Sequence, residues 1–169
     1  MKEGRLAECV GLWLAEGGNT LKSEITFTNT CLELVDLFKK TINELFTKEQ
    51  YNQRIYVYSK TGQKVSLPYQ DCKIKYYIHK KATKPFFIYR LASIKLRNKW
   101  QEVINKILNK KELSTYVLRG FFAGEGNIKD GSHNSRVLRI SQKIQKEFID
   151  KSLNYLNIKY RYIAKEMSY

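Results

Sequence analysis

The chain of 169 residues contains 31 lysines and arginines but only 16 aspartates and glutamates, which gives a formal net charge of +15 and a pI near 9.7. A folded domain tolerates this self-repulsion best with a polyanionic partner, so the composition favours a nucleic-acid-binding protein over a basic protein without a specific partner. A membrane protein is disfavoured because no apolar run approaches the roughly 18 residues of a spanning helix. No basic amphipathic anchor stands out either.

The remaining composition indicates an ordinary folded domain or two fused halves. Apolar residues make up 43% of the chain, which is enough for a sound core. The three cysteines form no CxxC pair and are predicted to be buried free thiols, in preference to a disulfide or a zinc site. The N-terminus lacks the apolar region of a secretory leader, so we expect an intracellular protein, in the cytoplasm or nucleoid or in an organelle.

The N-terminal segment predicts the first of two similar helices, which we call the ridge helices. Over residues 2–16 the small residues Ala7, Gly11 and Ala15 recur at i, i+4 spacing and therefore share one helix face. A second helix backbone can approach such a ridge closely, because no large side chain separates the two. Glu16 is the last predicted helical residue, since the glycine after it is typical of a C-cap.

The rest of the first half is predicted to alternate strands with amphipathic helices, because its apolar residues change between a period of two and a period near 3.6. The predicted elements are a strand or hairpin over 19–29, a helix from a Thr30 cap to about Phe46, strands over 51–60, 65–67, 73–79 and 86–91, and a helix over 93–109 that is placed to link the halves.

The second half begins with the other ridge helix, in which Gly120 and Gly124 precede Glu125. It continues with a turn-rich segment containing Gly131 and Asn134, a strand over 136–142, a helix over 144–156 and a last strand over 158–164. This order repeats that of the first half at matching distances from the glutamate. We therefore predict two related domains, residues 1–110 with the linking helix and residues 111–169.

Both ridge helices place an acid where helices rarely have one. Glu16 and Glu125 lie at the C-terminal ends, where the helix dipole and the unpaired carbonyl groups are already negative. Packing the two helices side by side would bring the two carboxylates and the two negative helix ends close together. A hard divalent cation between them would neutralise this negative charge. The predicted ligands are the two carboxylates and the carbonyl groups of Ala15 and Gly124, with Mg²⁺ as the expected ion. The alternative is two ordinary helices whose last glutamates point into water.

The stretches CVGLWLAEGG (9–18) and LRGFFAGEGN (118–127) resemble the LAGLIDADG signature of homing endonucleases, with Glu in place of its final Asp. Two copies in one chain resemble the monomeric members of this family. The resemblance implies an α+β fold, a pseudo-twofold tandem repeat of an αββαββα unit with two antiparallel sheets that form a DNA saddle. It also implies a site-specific endonuclease for long double-stranded targets, with Mg²⁺ as cofactor and Mn²⁺ as a substitute.

The resemblance implies catalytic roles for further residues. Glu16 and Glu125 would hold two or three metal ions that activate water, and a polar or basic residue at the end of the following strand would assist them. Gln142 and Lys143 occupy that place in the second half, with Lys129 as a weaker rival. The first half has Asn29 and Thr30 at the corresponding point, which departs from the family pattern. Lys143 can also be read as an exposed residue that opens the next helix.

The predicted strands carry the side chains that a DNA-binding sheet requires. Basic and polar residues alternate with apolar ones, so one face of each sheet can contact phosphates and base edges while the other packs on helices. The alternative is an ordinary solvated strand face. The residues that we expect to contact DNA are Lys22, Thr26, Thr28, Arg54, Tyr56, Lys73, Lys75, Arg136, Arg139 and Arg161.

One feature lowers the expectation of activity. After Glu125 only 44 residues follow, so the final strand and closing helix of the family unit are not visible, and we expect a shortened second half with an open sheet edge. A site-specific endonuclease connected with intron homing is the first interpretation. The second is a binder on the same fold that does not cleave, either an RNA maturase that contacts intron RNA or a DNA-binding regulator.

Overall fold

The computed structural model describes residues 2–18, 23–130, 136–141 and 145–163, and in this part of the chain helices and strands together make an α+β fold. A single 3₁₀ turn, Lys111–Leu113, precedes α4. The elements in chain order are α1 Glu3–Glu16, β1 Glu24–Asn29, α2 Leu32–Leu45, β2 Asn52–Ser59, β3 Lys73–Ile78, β4 Phe86–Ala92, α3 Ile94–Leu108, α4 Ser114–Glu125, β5 Gly126–Asp130, β6 Arg136–Ile140 and α5 Glu147–Tyr155.

The described residues divide into two compact units. The first unit covers Glu16–Val103, and the second combines Lys2–Ala15 with the described residues of Ile104–Tyr169. Helix α1 therefore packs in the second unit, although Glu16 at its end is grouped with the first. The division at residue 110 concerns the sequence repeat and stays a prediction.

The first unit is built on a four-stranded sheet in the order β1-β4-β2-β3. Strand β4 is antiparallel to both β1 and β2, as the antiparallel expectation requires, whereas β2 and β3 run parallel. A parallel pair needs a long connection, and residues 60–72 supply it. The two glycines that follow α1 also join this sheet within the first unit, because Gly17 bridges Phe27 and the amide of Gly18 donates to the carbonyl oxygen of Thr26 at 3.1 Å.

Alternation along the strands places the core of the first unit on one face of this sheet. Apolar side chains at every second position are buried there, namely those of Ile25, Phe27, Ile55, Val57, Phe87, Tyr89 and Leu91. Helices α2 and α3 cover this face through Phe38, whose ring stacks on Phe27 at 4.7 Å and meets Trp100 edge-on at 5.9 Å. The opposite face of the sheet is thereby left for other contacts.

The second unit joins α1 and α4 to a short hairpin and one further helix. Strands β5 and β6 form a two-stranded antiparallel sheet in which Gly126 pairs with Ile140. A small core under this hairpin contains Phe121, Ile140, Ile149 and Leu153. After α5 the chain turns back at Asn157, which adopts a left-handed backbone conformation with φ of 54°.

Several predicted elements differ from the structure. Residues 65–67 form no strand, because no neighbouring strand pairs with them. The segment predicted as turn-rich begins with strand β5, since pairing with β6 outweighs the turn propensity of its residues. Residues 158–163 form no ladder and show only a bridge at Ile163, while the remainder of that predicted strand lies outside the described residues. Helix α2 is capped by Cys31 rather than by Thr30.

Two simpler expectations can also be compared with the structure. None of the three cysteines forms a disulfide bond, although only Cys9 is buried and Cys31 and Cys72 are partly exposed. None of the described helices combines the length and the apolar character that crossing a membrane requires.

Candidate functional site

The contact between α1 and α4 depends on two glycines. A Cβ atom added at Gly11 would lie 1.9 Å from the carbonyl oxygen of Val117, and one added at Gly120 would lie 1.9 Å from that of Glu8. Both obstacles are backbone atoms, which cannot rotate away, so only glycine allows the two helices to approach this closely. Ala7, the third predicted interface residue, is fully buried. Gly11 and Gly120 therefore lie where the two helices approach each other most closely, and an interface role for Ala7 stays a prediction.

Polar contacts fasten the same two helices along their exposed side. The guanidinium of Arg119 donates to the carboxylate of Glu8, with Nε 2.9 Å from Oε1, and this hydrogen bond raises the pKa of Arg119. At the beginning of α1, Glu3 pairs with Lys110. The side chain of Tyr116 lies against Gly4. The first turn of α1 thus contacts the start of α4, and the middle of α1 contacts the middle of α4. The two helices therefore run in the same direction.

Each ridge helix ends on its glutamate without a compensating charge in its own last turn. Neither α1 nor α4 has a basic residue there. Helix α4 passes directly into β5, and the carbonyl oxygen of Glu125 accepts a hydrogen bond of 3.3 Å from the amide of Ser141. Both glutamates are partly exposed, as are Ala15 and Gly124, the residues whose carbonyl groups were predicted to bind metal. An ion in solution can therefore reach these oxygens.

Lys146 supplies a positive charge beside the end of α4. Its ammonium group donates to the carbonyl oxygen of Leu14 at 3.1 Å and lies 5.4 Å from the centre of the Phe121 ring. Burial lowers the pKa of Lys146, and the nearby carboxylate of Glu125 opposes this shift by raising it. The last turn of α1, the carboxylate of Glu125 and one lysine thus meet within the second unit.

Sequence reasoning assigned the basic residue of this region to Lys143 and missed Lys146. Gln142 and Lys143 lie outside the described residues, so their roles stay predictions. Lys129, the rival considered, lies on the exposed strand β5 opposite Val137. A signal for Lys146 was present, because it is the residue before an amphipathic helix and therefore close to the core that this helix covers. Its contact with Leu14 joins positions 132 residues apart, which no local pattern reveals.

Glu16 has a neutral partner in the first unit. The side-chain Nδ2 of Asn29 donates to Oε1 of Glu16 at 3.4 Å. The side-chain Oδ1 of Asn29 accepts a hydrogen bond from the backbone amide of Cys31 at 2.8 Å. The second hydrogen bond holds Asn29 in a turn that orients its NH₂ group. Asn29 is the residue that the sequence repeat placed at the counterpart of the second-half Gln142 and Lys143.

The oxygens at these helix ends suit a hard divalent cation. Carboxylate and backbone carbonyl oxygens are the ligands that Mg²⁺ and Ca²⁺ prefer, and the last carbonyl groups of a helix have no partner within it. No group of three or more His, Cys, Asp or Glu side chains occurs among the described residues. Mg²⁺ usually keeps several water molecules or phosphate oxygens in its shell and needs only one or two carboxylates from the protein.

The face of the first-unit sheet opposite the core carries polar residues in two registered rows. Side chains on paired residues of neighbouring strands point to the same side. The first row is Thr26, Arg90, Arg54 and Lys73, and the second is Thr28, Ile88, Tyr56 and Lys75. Six residues predicted to contact DNA thus share one face. Arg90 was missed, because it lies within the apolar run FFIYRLA.

Ion pairs shape this face, which we call the basic sheet face. Glu24 forms ion pairs with Arg90, whose Nε lies 2.8 Å from Oε2, and with Arg54, whose guanidinium lies 3.6 Å from Oε1, so one acid neutralises part of the charge of two arginines. Lys73 and Lys75 are exposed on the outer strand. Thr26 and Tyr56 are only 7% and 8% exposed, so they support the face and offer little surface of their own.

The predicted DNA contacts of the second unit do not share one face. Arg136 and Arg139 are three residues apart on β6 and therefore point to opposite sides of the hairpin. Ile140 is buried in the core, which places Arg136 on the core side and Arg139 on the other. Arg161 is exposed in the segment after α5, and Lys22 lies outside the described residues.

The fold is that of a homing endonuclease. The chain matches solved structures of the homing endonuclease I-DmoI over 92% of its length at 18% sequence identity. A crystal structure of I-DmoI in complex with DNA and Mn has a TM-score of 0.56 with 77% of its chain covered. One with DNA and Ca has a TM-score of 0.54 with 71% covered, and mesophilic variants of I-DmoI have 0.55 with 76% covered. No protein-family model and no curated protein matches the sequence.

Proposed function

We propose that this protein is a LAGLIDADG-type homing endonuclease that cuts double-stranded DNA with divalent metal ions bound through Glu16 and Glu125. The observation that carries the proposal is the glycine contact between α1 and α4. Each helix extends five residues beyond its contacting glycine and ends on a glutamate. The two glutamates are therefore at equal distances along their helices from the glycine contact. The likeness of the fold to DNA-bound I-DmoI supports the same substrate class.

The chemistry proposed is hydrolysis of a phosphodiester bond without a covalent intermediate. A divalent cation bound at the helix ends would stabilise the charge that develops on the phosphate and would favour ionisation of the attacking water. Asn29 would orient the carboxylate of Glu16 through its amide hydrogen bond. Lys146 would hold or release a proton near Glu125, because burial already disfavours its charged form. Ala15 and Gly124 would contribute carbonyl oxygens.

DNA binding is proposed to rest mainly on the basic sheet face. Exposed Lys73 and Lys75 would contact phosphates, while Arg54 and Arg90 would reach base edges or exchange Glu24 for phosphate. A long target site, action as a monomer, use of Mg²⁺ with Mn²⁺ as a substitute and a role in intron homing are further parts of the proposal.

The test begins with an unknown target, so it uses a library of linear DNA with a randomised central segment. We expect the protein with Mg²⁺ to cleave a small subset of molecules and to leave short 3′ overhangs. Sequencing of the new ends then gives the target for quantitative assays. Glu16→Gln and Glu125→Gln serve as matched controls, because they keep the side-chain shape and remove the charge. Blunt ends, random nicking or equal cutting by these variants would contradict the proposal.

A binder that does not cleave is the second candidate, and the small sheet of the second unit favours it. Among the described residues, its two strands present less surface to nucleic acid than the four strands of the first unit. This candidate predicts tight binding by the wild-type protein to selected DNA or to intron RNA, with no cleavage at any Mg²⁺ concentration. The library assay separates the two candidates if bound as well as cleaved molecules are sequenced.

A further inference from the structure

A third row of side chains follows the two rows of the basic sheet face, and this row is aromatic. Tyr58 on β2 pairs with Phe86 on β4 and with Tyr77 on β3. Because Tyr58 comes two residues after Tyr56 on the same strand, its side chain points to the same side as the second row. Phe86, Tyr58 and Tyr77, which we call the aromatic row, therefore extend the basic sheet face.

The three rings form one continuous stack. The ring centres of Phe86 and Tyr58 are 4.9 Å apart with 4° between the ring planes, and those of Tyr58 and Tyr77 are 5.1 Å apart with 20°. These distances are close to the spacing of paired strands, about 4.8 Å, so the stack runs across the strands. His79 lies edge-on to Tyr58 at 6.4 Å, and Tyr56 lies edge-on to Tyr77 at 5.4 Å. The neighbouring rings thus hold Tyr77 in place.

The stack has an accessible end at Tyr77. Among the residues that the structure describes, β3 pairs with β2 alone and is the last strand of its sheet. Tyr77 is 37% exposed although Tyr58 covers one side of its ring. The connection 60–72 is fastened to the opposite face of β3, where the hydroxyl of Tyr76 donates to the carbonyl oxygen of Val65 at 2.7 Å. A flat ring placed on the outer side of Tyr77 would therefore continue the stack.

The surroundings of the aromatic row are strongly basic. Residues 50–101 contain twelve lysines and arginines and a single acid, Asp71, which forms an ion pair of 2.5 Å with Lys39 of α2. Lys75 precedes Tyr77 by two residues on the same side of β3 and is exposed. Three further exposed lysines lie in the connection between β3 and β4, namely Lys80, Lys81 and Lys84. A ligand of this surface has to combine a flat apolar group with negative charge.

Unpaired nucleotides have this combination. Each base has a flat face that stacks on aromatic side chains, and each phosphate carries a negative charge. The bases of a duplex are stacked on one another, so their faces are not available to a ring on the protein. A second copy of this chain, with a net charge of +15, would be repelled. An apolar protein segment would cover the rings but leave the lysines without counter-charges.

We propose that the aromatic row binds unpaired nucleotides of single-stranded nucleic acid. One base stacks on the outer side of Tyr77, and the adjoining phosphates contact Lys75 and the lysines between β3 and β4. The recognised chemistry, a flat base joined to a phosphate, is common to DNA and RNA. This inference rests on the part of the proposed function that assigns nucleic acid to this sheet face, but it requires neither metal ions nor cleavage.

The experiment uses the full-length protein in EDTA and a fluorescein-labelled strand of about ten nucleotides without self-complementarity, made both as DNA and as RNA. Fluorescence polarisation should show saturable binding. Tyr77→Leu should weaken it about fivefold or more, because the variant keeps an apolar side chain beside Tyr58 but loses the stacking surface. Tyr77→Phe keeps the ring and should bind like the wild type. Tyr155→Ala is the matched control, with a tyrosine that is 49% exposed on α5, and it should have no effect.

A tryptophan at the same position reports the stacking directly. The two tryptophans of the chain, Trp13 and Trp100, are buried, so the indole of Tyr77→Trp would be the exposed one. Its fluorescence should fall in proportion to the bound strand, because a base stacked on an indole quenches the emission. Binding of the strand to Tyr77→Trp without any quenching would contradict the stacked geometry.

The same sequence as a duplex separates this inference from the proposed function. Tyr77→Leu should leave duplex affinity unchanged, because the base faces are covered there. The inference is overturned if no single strand binds, if Tyr77→Leu binds it like the wild type, or if the variant loses duplex and single strand equally. Dependence on Tyr77 with either DNA or RNA supports it, and the ratio of the two affinities identifies the source. Loss of duplex binding alone would contradict the proposed endonuclease and leave this inference supported.

Discussion

The two glutamate-bearing helix ends differ in the residue that each glutamate meets. Glu16 accepts a hydrogen bond from the neutral amide of Asn29, whereas Glu125 lies beside the ammonium group of Lys146. Both helices end in the same way and both pass into an antiparallel pairing just after the acid. The repeat therefore preserves the position of the acid, and the residues named here beside the two acids differ in type. Under the function proposed above, substitution of these two neighbours tests whether the two halves contribute equally to cleavage.

The sheets differ in the same sense. The first unit has four strands and a face with registered basic residues, whereas the described part of the second has one hairpin, whose arginines point to opposite sides. Under the proposed function, we expect nucleic-acid contact mainly in the first unit, while the second contains the glycine contact between helices. The predictions below test this division of roles.

The largest expected effect is the loss of cleavage when either acid is neutralised. Glu16→Gln and Glu125→Gln should each lower the cleavage rate by about a thousandfold or more, because each removes a charged oxygen ligand of a catalytic metal ion. DNA affinity should change little, which gel-shift assays can measure. If one variant retained cleavage of both strands, the corresponding glutamate would not be catalytic.

The next effect concerns the helix contact. Gly120→Ala should destabilise the protein by about 3 kcal/mol, because the new methyl group meets a backbone oxygen and the helices must separate. Urea denaturation measures the change. Gly4→Ala is the matched control on α1, since its methyl group meets only the movable side chain of Tyr116. If Gly120→Ala and Gly4→Ala had the same free energy of unfolding, the close approach of the helices at Gly120 would not be a major source of stability.

Replacing Lys146 tests the inequality between the two halves. Lys146→Met should slow cleavage by about a hundredfold, the lower end of the range for a group that acts in proton transfer. The corresponding change at the other acid, Asn29→Ala, should have a smaller effect because no charge is lost. Accumulation of nicked circular plasmid measures unequal cutting of the two strands. Equal effects of the two substitutions would show that the halves are equivalent.

Lys146→Met should also change how the free energy of unfolding depends on pH. Burial lowers the pKa of Lys146 below its ordinary value of 10.5, so the unfolded chain binds this proton more tightly than the folded one. The buried charge of Lys146 lowers the free energy of unfolding by its full amount at pH values below the pKa of Lys146 in the folded protein. This destabilisation disappears as the pH rises from that pKa towards 10.5. The stability of the wild type relative to Lys146→Met should therefore increase with pH in this interval. A flat difference would show that Lys146 is not desolvated.

The smallest effect is expected on the basic sheet face. Lys75→Gln should weaken DNA binding a few-fold and reduce the slope of log affinity against log salt by about one. Lys48→Gln, an exposed lysine outside both rows, is the matched control and should leave the slope unchanged. An unchanged slope for Lys75→Gln would place the DNA elsewhere.

Sequence reasoning predicted the helices well, because their signals are local. Gly11 and Gly120 were recognised from i, i+4 spacing, and the structure shows at both positions that a Cβ atom would meet a backbone oxygen. Strands were predicted less accurately. The segment after Glu125 pairs as β5 in spite of turn-forming residues, and the described residues 158–163 form no ladder and show only the bridge at Ile163. Strand formation depends on a partner strand, which can be distant in sequence.

The candidate site divides in the same way. The glutamates and their glycines follow from a repeated pattern, but Lys146, Arg90 and the role of Asn29 required the structure. Lys146 meets Leu14 across 132 positions, and Arg90 joins the basic sheet face only through the register of three strands. Arg136 and Arg139 were grouped from composition, although the alternation of a strand separates them.

The sequence by itself determined the order of helices, the acid at the end of each ridge helix and the excess of positive charge, since these depend on spacing and composition. Tertiary structure decided which groups meet those acids and which basic residues share a face. Such features arise from contacts between segments that are distant in sequence. Several arrangements are equally compatible with the local patterns, and the free energy of packing selects one of them.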